Sequence, residues 1–463
     1  MKRFVPLLVI LAGLGSTGRI HAQAPPAAIP PDLVNYVSKP DASYKWTLKD
    51  KNEVDGNTVY TIDQVSQTWQ GIDWDHGLIV VVPKDAKPAK TMLLWNQGGK
   101  PSPASSLVAV ELAKRIKAPV AFLFGIPKQP LFGGKTEDAL IAETFVKFLE
   151  TKDSSWPLLF PMAKSIVRTM DTLQAFGKKE WNFEIANFVV TGASKRGWTS
   201  WLTAATGDKR VKAIAPMVID TLNFQKQMPN QLKSFNGKYS EMIHDYEERN
   251  LLPLPDTADA RKLWAMVDPW VYRERLTLPK MLIHGTNDPY WAQDATNVYW
   301  DDLKGEKFVC YVPNAGHGLR PEETPNHLLG LPRAEIEQRR KEIKMEAFPT
   351  KAINTLAAFT KSVSEDKPMP AFEWKMGKVG QNATYEISVD QTPVAIAKWQ
   401  AESDTPDFRK SKWHSAKVEP IAKLSAGIEP NGKYQATLFE YEFKTGELKY
   451  TLTTQLAIQP PKQ

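Results

Sequence analysis

Three residues of this chain have the types and the order that covalent acyl transfer needs. Ser194 lies between small residues in the stretch 191–197, which reads TGASKRG. Asp288 ends the stretch GTND, and His317 stands between two glycines. A serine hydroxyl becomes a good nucleophile when a histidine removes its proton, and that histidine needs a carboxylate to fix its tautomer. We therefore predict Ser194 as the nucleophile, His317 as the general base and Asp288 as the acid that orients it.

Each of these residues follows an apolar run that is typical of a buried strand. The runs begin near residues 187, 280 and 308, and an alanine-rich stretch with helical spacing follows the serine. A serine at a sharp strand-to-helix turn, with an acid and then a histidine further along the chain, is typical of α/β-hydrolases. The acid has an alternative in Asp220, which ends the preceding predicted strand.

The serine turn departs from the usual G-x-S-x-G pattern in one place. Arg196 occupies the position of the second glycine, and Gly197 follows one residue later. A glycine at that position normally relieves crowding between the strand and the helix.

An oxyanion formed by attack of the serine needs two backbone donors. We predict one donor in the N–H of Lys195 and the other in the glycine-containing loop after the strand at 91–95, at Gln97 or Gly98. The ammonium of Lys195 could also lie near the oxyanion. The Ser-basic-x-Gly pattern of residues 194–197 is similar to that of glucuronoyl esterases, in which an arginine beside the serine lies near the oxyanion.

The order of apolar runs and helical stretches predicts an α/β protein with a second, smaller domain. Strands are predicted at 58–69, 77–82, 91–95 and 120–124, with helices along the same part of the chain, and a charged helix is expected at 333–362. Residues 25–366 are therefore predicted to form a three-layer α/β-hydrolase sandwich. Residues 221–278 break the pattern and are interpreted as a lid. Alternating strands at 384–389, 394–399, 434–444 and 447–458 predict a small antiparallel β-domain over 367–463.

The lid segment carries the residues from which we predict substrate binding. Trp264 would contribute to an apolar pocket, and the pair Glu247 and Glu248 could bind the free amine of a peptide. The alternative is that the two glutamates form the solvated face of a lid helix, which is common for an acidic pair.

Composition excludes several other classes of protein. A charged start, a short apolar run and small residues near Ala24 predict a signal peptide at 1–24, so we expect an exported protein, periplasmic or secreted, with no membrane anchor. The net charge of +7 comes without a long basic tract, so we expect no nucleic-acid partner. The single cysteine, Cys310, excludes an internal disulfide, and no spacing of histidines or carboxylates indicates a metal site. We predict no cofactor and a small-molecule or peptide substrate; the oligomeric state stays open.

Three stretches of the chain resemble the PhoPQ-activated pathogenicity-related protein family: residues 156–162, 192–201 and 284–291. The likeness extends from Asp41 to the C-terminus and implies an exported α/β-hydrolase-like protein with Ser194, Asp288 and His317 at the motif positions. Some relatives in this family are secreted regulators of cell growth. Two functions are therefore carried forward: a serine hydrolase, either esterase or peptidase, and a binding or signalling protein on a hydrolase scaffold.

Overall fold

A computed structural model describes residues 29–84, 90–181, 184–321 and 349–462. The predicted signal peptide at 1–24 and the part of the predicted charged helix before residue 349 lie outside the described residues. Within these ranges no helix has the length and apolar character that a transmembrane span requires.

The central sheet contains nine strands. They are β1 (Lys45–Val54), β2 (Asn57–Trp69), β3 (Ile72–Val82), β4 (Thr91–Asn96), β5 (Val120–Leu123), β6 (Asn187–Ala193), β7 (Val211–Met217), β8 (Lys280–Gly285) and β9 (Lys307–Val312). Their spatial order is β1-β2-β3-β5-β4-β6-β7-β8-β9, with β4 to β9 parallel and the first three strands antiparallel. Beyond β1 this order is that of the α/β-hydrolase fold, as predicted.

Two differences from prediction lie at the antiparallel edge of the sheet. β1 was not predicted, because most of its residues are exposed and its apolar residues packed on the core are only Trp46 and Leu48. The β2–β3 connection is shorter than the expected 70–76, since Gln70 and Gly71 both adopt positive φ and form a tight turn.

Helices cover both faces of the sheet. They are α1 (Asp32–Ser38), α2 (Pro103–Ile116), α3 (Glu137–Thr151), α4 (Leu159–Glu180), α5 (Lys195–Ala205), α6 (Phe224–Ser234), α7 (His244–Glu247), α8 (Ala258–Val267) and α9 (Thr350–Ser364). Neighbouring residues of β4 face opposite cores: Leu94 belongs to the cluster of Ile166 on α4, and Leu93 to the cluster of Leu112 on α2 and Leu356 on α9. The result is the predicted three-layer sandwich, with α6 to α8 in the predicted lid segment.

The C-terminal region is an antiparallel β-sandwich. Its strands are β10 (Phe372–Val379), β11 (Asn382–Val389), β12 (Ala395–Ser403), β13 (His414–Val418), β14 (Lys423–Ile428), β15 (Tyr434–Thr445), β16 (Leu448–Thr453) and β17 (Ala457–Gln459). One sheet has the order β10-β11-β14 and the other β13-β12-β15-β16, with β17 added to β15. The sheets pack face to face through aromatic rings, Tyr385 on Phe439 at 5.1 Å and Phe372 on Tyr441 at 4.8 Å. The prediction of a single strand at 447–458 is wrong, because the structure has two separate strands there, β16 and β17.

The C-terminal sandwich packs directly on the α/β domain. Thr355 of α9 donates to the carbonyl of Thr451 on β16 at 3.2 Å, and the N–H of Tyr311 on β9 donates to Thr453 at 3.1 Å. The single cysteine, Cys310, is fully buried on β9. Burial raises the pKa of its thiol to about 12.

Candidate active site

Ser194 forms a strained turn between β6 and α5. Its backbone has φ 59° and ψ −129°, a conformation that costs a non-glycine residue about 1–3 kcal/mol. Small neighbours make room for it. A Cβ on Gly192 would lie 2.6 Å from the Nδ2 of Asn96, and one on Gly197 would lie 2.6 Å from a methyl of Ile219. The glycine that relieves crowding is therefore Gly197, one residue after its usual position.

Arg196, at the usual position of that glycine, is a structural cation. Its guanidinium donates two hydrogen bonds to the carboxylate of Glu137, at 2.6 and 2.7 Å, and its Nε donates to the carbonyl of Ile126. Burial opposes ionisation of Glu137, but the hydrogen bonds and charge of Arg196 outweigh it and lower the pKa of that carboxyl to about 2. A Cβ on Gly98 would lie 2.3 Å from Arg196 Nη2, so the lack of a side chain in this loop lets the guanidinium pass.

The predicted acid and base lie together at the ends of β8 and β9. His317 Nδ1 is 2.8 Å from Asp288 Oδ2, and the N–H of Tyr290 donates to Asp288 Oδ1 at 2.9 Å. When a neutral imidazole donates a hydrogen bond from its Nδ1–H to a carboxylate, its free lone pair is on Nε2. Within the described ranges His317 Nε2 has no hydrogen-bond partner, and His317 and Ser194 line the same pocket.

Asp220, the alternative acid, belongs to a separate buried network. Thr296 donates to its Oδ2 at 2.9 Å, and the hydroxyl of Tyr299 donates to its Oδ1. His284 Nε2 lies 3.8 Å from the same carboxylate. The geometry therefore favours Asp288 over Asp220 as the partner of His317.

The two predicted oxyanion donors in the loop after β4 differ. The N–H of Gln97 donates to the carbonyl of Leu123 at 2.7 Å, extending the β4–β5 pairing, so the prediction of Gln97 as a donor is wrong. No acceptor for the N–H of Gly98 occurs in the part of the chain that the structure describes. Lys195 is the first residue of α5, where backbone N–H groups have no intrahelical acceptor. Gly98 and Lys195 thus stay as candidate donors.

The side chain of Lys195 joins a polar cluster that the sequence analysis missed. Its ammonium lies 2.5 Å from Asp138 and donates to the hydroxyl of Tyr290 at 3.3 Å. Burial would lower the pKa of Lys195, but the charge of Asp138 outweighs it and raises the pKa. Tyr246 also donates to Asp138, at 3.1 Å, and Tyr290 stacks on the His317 ring with centroids 4.3 Å apart. The ammonium, expected near the oxyanion, is therefore held by Asp138.

The pocket beside Ser194 has an aromatic and aliphatic wall. Its empty volume is about 490 Å³, part of it open to solvent. Trp264 lines it as predicted, while Glu247 and Glu248 are exposed and lie outside its lining, so the alternative of a solvated face holds for them. The acid in the lining is Asp138, which Lys195 already neutralises. The apolar side chains of the wall are Trp198, Ile219, Phe224, Met228, Ile243, Leu252, Trp264 and Trp291.

One surface group has ligand atoms close enough for a metal ion. Potential ligand atoms of His244, Asp245 and Glu248 lie within 4.8 Å of one another. Two of the three residues are exposed, and exposed acidic groups of this kind are common without a bound ion, so we assign no metal site there.

Two solved structures align with part of this chain at low sequence identity. An acetyl xylan esterase from Paenibacillus sp. R4 aligns with a TM-score of 0.41 and 15% identity, covering 68% of this chain and 91% of that one. An S-formylglutathione hydrolase from Agrobacterium tumefaciens aligns with a TM-score of 0.40 and 13% identity, covering 58% and 92%.

Sequence comparison gives a nearer relationship. The autocrine proliferation repressor protein A of Dictyostelium discoideum is 34% identical over 474 residues, covering 92% of this chain and 90% of that protein. The family model for the PhoPQ-activated pathogenicity-related protein matches residues 33–346 and 340–409. Because that match spans most of the chain, this protein belongs to the PhoPQ-activated pathogenicity-related protein family.

Proposed function

We propose that this protein is an exported serine esterase that works through an acyl-enzyme. The observation that carries the proposal is the 2.8 Å hydrogen bond between His317 Nδ1 and Asp288, at a pocket shared with the strained Ser194. A serine on such a turn, a histidine with an available Nε2 and a carboxylate on Nδ1 are the parts that acyl transfer requires. The charged and apolar start of the chain supports export.

The reaction follows from these positions. His317 Nε2 takes the hydroxyl proton while Ser194 Oγ bonds to the ester carbonyl carbon, and the carbonyl π electrons move onto oxygen. The N–H groups of Lys195 and Gly98 stabilise that oxyanion. On collapse the C–O bond to the alcohol breaks, and His317 gives its proton to the leaving alkoxide. Water then attacks the acyl-enzyme with His317 again as the base, which releases the acid and restores Ser194.

The pocket supports an uncharged acyl or alkoxy group as the part of the substrate that is recognised. Its wall is mainly apolar, and its two charged groups, Asp138 and Lys195, already form an ion pair. A charged substrate group would compete with that pair inside a poorly solvated site, which is costly. This favours ester cleavage over removal of amino-terminal dipeptides, because no acidic side chain of the lining is left to hold a free amine.

Labelling with a fluorophosphonate tests the proposal directly. Purified chain without residues 1–24 is expected to gain the mass of one phosphonyl group, on the peptide that contains Ser194. Ser194→Ala is expected to gain none. Ser240→Ala is a matched control, since Ser240 donates to the Pro289 carbonyl at 2.7 Å, next to the acid, yet lies outside the pocket lining. Labelling of Ser194→Ala, or no labelling of wild type, would overturn the assignment.

A signalling role on the same scaffold is the second candidate, and the relationship to an autocrine proliferation repressor supports it. Wild type and Ser194→Ala can be compared for repression of Dictyostelium discoideum growth. Equal repression by both proteins would favour a role that does not need the serine. Repression by wild type alone would tie the growth effect to the hydrolase chemistry.

A further inference from the structure

One loop of the C-terminal sandwich lies against both loops that carry the predicted acid and base. We infer that this clamp loop (residues 404–413, between β12 and β13) positions Asp288 and His317, so that the C-terminal domain is part of the catalytic apparatus. The inference rests on the proposed esterase function. The positioning residues are Asn287 and Asn314, which join the clamp loop to the two loops.

Asn287 precedes the acid and is held by three main-chain acceptors. Its Nδ2 donates to the carbonyl of Ser411 at 2.7 Å, and it lies 3.2 Å from the carbonyl of Arg409 and 3.3 Å from that of Phe408. A side-chain amide has only two N–H groups, so one of these bonds is shared. Because Asn287 and Asp288 are joined by one peptide unit, fixing the amide restricts the carboxylate as well.

Asn314 makes the matching contact three residues before the base. Its Nδ2 donates to the carbonyl of Trp413 at 3.0 Å, and the N–H of Trp413 donates to its Oδ1 at 2.8 Å. This pairing satisfies both polar atoms of the amide. Asn314 has φ 60°, a conformation that asparagine tolerates better than most side chains. The side chain and the backbone thus both suit this position.

The acid and base loops are also bonded to each other beneath the clamp. The N–H of Asn314 donates to Thr286 Oγ1 at 2.9 Å, and the N–H of Asn287 donates to the carbonyl of Ala315 at 3.0 Å. Gln293 completes the connection, because its amide donates to the Asp288 carbonyl at 3.3 Å and accepts from the N–H of Phe408 at 3.3 Å. The three loops therefore form one hydrogen-bonded unit.

The clamp loop is itself well anchored, so it can act as a fixed support. Phe408 is 0% exposed and Trp413 is 2% exposed. Arg409 forms an ion pair with Asp407 at 2.7 Å and reaches the lid segment, where it pairs with Glu241 at 3.1 Å and lies over the ring of Phe235 at 3.8 Å. The clamp loop consequently contacts the loop that carries Asp288, the loop that carries His317 and the lid segment.

Kinetics of paired substitutions test the inference. In the variant Asn287→Ala/Asn314→Ala we expect kcat on a short aryl ester to fall about 10–100-fold, with KM changed less than about threefold. A misplacement near 1 Å costs on the order of 100-fold, and the substrate pocket is not altered. The matched control is Asn297→Ala. Asn297 bonds to Leu456 and Gln455 of the same domain at 2.8 Å each but belongs to neither catalytic loop.

The control decides between positioning and general stabilisation. Wild-type kcat in Asn297→Ala together with a loss in the double variant supports the clamp. An equal loss in both variants, or wild-type kcat in the double variant, overturns it. If the double variant does not fold, the single variant Asn314→Ala is compared with Asn297→Ala in the same way.

Hydrogen exchange gives a readout that does not need activity. Amides in 286–293 and 312–319 are expected to exchange faster in the double variant and at the wild-type rate in Asn297→Ala. If wild type neither hydrolyses esters nor reacts with a fluorophosphonate, the proposed function fails, and the exchange rates still decide whether the clamp holds these loops. Unchanged exchange in the double variant overturns the inference.

Discussion

Among the residues that the structure describes, a serine and a histidine lie close together at Ser66 and His76, and another serine and histidine, Ser194 and His317, line one pocket; the two places differ in what surrounds them. In the first, Ser66 Oγ on β2 lies 2.9 Å from His76 Nε2 on β3. His76 Nδ1 lies 3.0 Å from the carbonyl of Phe124, which can only accept, so His76 carries its proton on Nδ1. Its Nε2 is then free to accept from Ser66. Judged by the hydrogen bond alone, this pair resembles an activated serine.

Burial separates this pair from the site at Ser194. Ser66 is 0% exposed, lies where the β2–β3 register shifts between Val65 and Thr68, and also bonds to Ser165 at 2.9 Å. Burial lowers the pKa of His76 to about 4, so this imidazole is a poor proton acceptor near neutral pH. Its Nδ1 partner is a carbonyl, whereas that of His317 is a carboxylate. Ser194 lies instead on a strained turn and lines a pocket together with His317, whose Nδ1 partner is the carboxylate of Asp288.

A serine–histidine hydrogen bond is therefore not by itself a catalytic feature. Access for a substrate, a carboxylate that stabilises an imidazolium, and backbone donors for an oxyanion make the difference. The polar atoms of Ser66, His76 and Ser165 form hydrogen bonds with one another inside the core. Buried polar groups need such partners.

The largest difference is expected on removing the two serine hydroxyls. Ser194→Ala should lower kcat on a short aryl ester by about 10³–10⁶-fold, the range seen when a triad member is lost. Ser66→Ala should leave kcat within about threefold and lower the free energy of unfolding by about 1–3 kcal/mol, because the partners of the hydroxyl stay buried. Ester kinetics and urea unfolding measure the two effects. A large loss of kcat in Ser66→Ala would contradict the structural role of that pair.

The next largest difference is expected between substitutions of the two carboxylates, Asp288 and Asp220. Asp288→Asn should lower kcat by about 10⁴-fold, since an amide no longer selects the required tautomer of His317. Asp220→Asn should keep kcat within about tenfold, because Asp220 accepts from Tyr299 and Thr296. Measuring kcat at the pH of highest activity checks both. If Asp220→Asn proved the more damaging change, Asp220 would have to replace Asp288 as the acid.

The buried histidine should appear in the pH dependence of stability. The pKa of His76 is lowered from an ordinary 6.5 to about 4 in the folded protein. The unfolded chain therefore takes up a proton below about pH 6.5 that the folded chain refuses, and stability falls as the pH drops towards 4, by up to about 3 kcal/mol. His76→Gln should remove this part of the slope between pH 7 and 4 in urea unfolding. A slope that stays as in wild type after His76→Gln would contradict this account.

The smallest effect is expected for the ion pair between Arg196 and Glu137, next to the turn at Ser194. No arginine–glutamate pair is present beside Ser66 in the described residues. The pKa of Glu137 is lowered to about 2, so its pairing with Arg196 is complete above about pH 4.5 and is lost as the pH falls towards 2. Glu137→Gln should lower the free energy of unfolding at pH 7 by about 1–2 kcal/mol, a reduced figure because this side chain is 38% exposed. The exposed Glu247, changed to Gln, should cost nothing measurable. Equal costs would count against the pair.

The arrangement of Ser194, Asp288 and His317 could be predicted because each follows an apolar strand and the chain order is that of one fold. The cluster around Lys195 could not. Asp138, Tyr246 and Tyr290 come from three distant segments, and a buried carboxylate at a helix start has no local pattern that separates it from an exposed one. The positions of these three side chains are set by tertiary packing, which leaves no pattern along the sequence.

Two other differences have simple physical causes. Gln97 was predicted as an oxyanion donor because of the glycines beside it, but β4 continues its pairing with β5 one residue further and uses that N–H. The clamp loop was missed because its contacts to Asn287 and Asn314 are made through carbonyl and N–H groups. Main-chain groups are common to every residue, so the sequence of residues 404–413 gives no sign of them.

The buried cysteine makes the protein a convenient host for a single optical label. Thiolates are the species that react with maleimides, and a fully buried thiol with a pKa of about 12 provides almost none at neutral pH. A cysteine substituted for Met242, which is 38% exposed in the lid segment, would then be the one site that a dye modifies. Fluorescence from that position would report whether the lid moves when a phosphonate occupies Ser194, without the need to remove any native thiol.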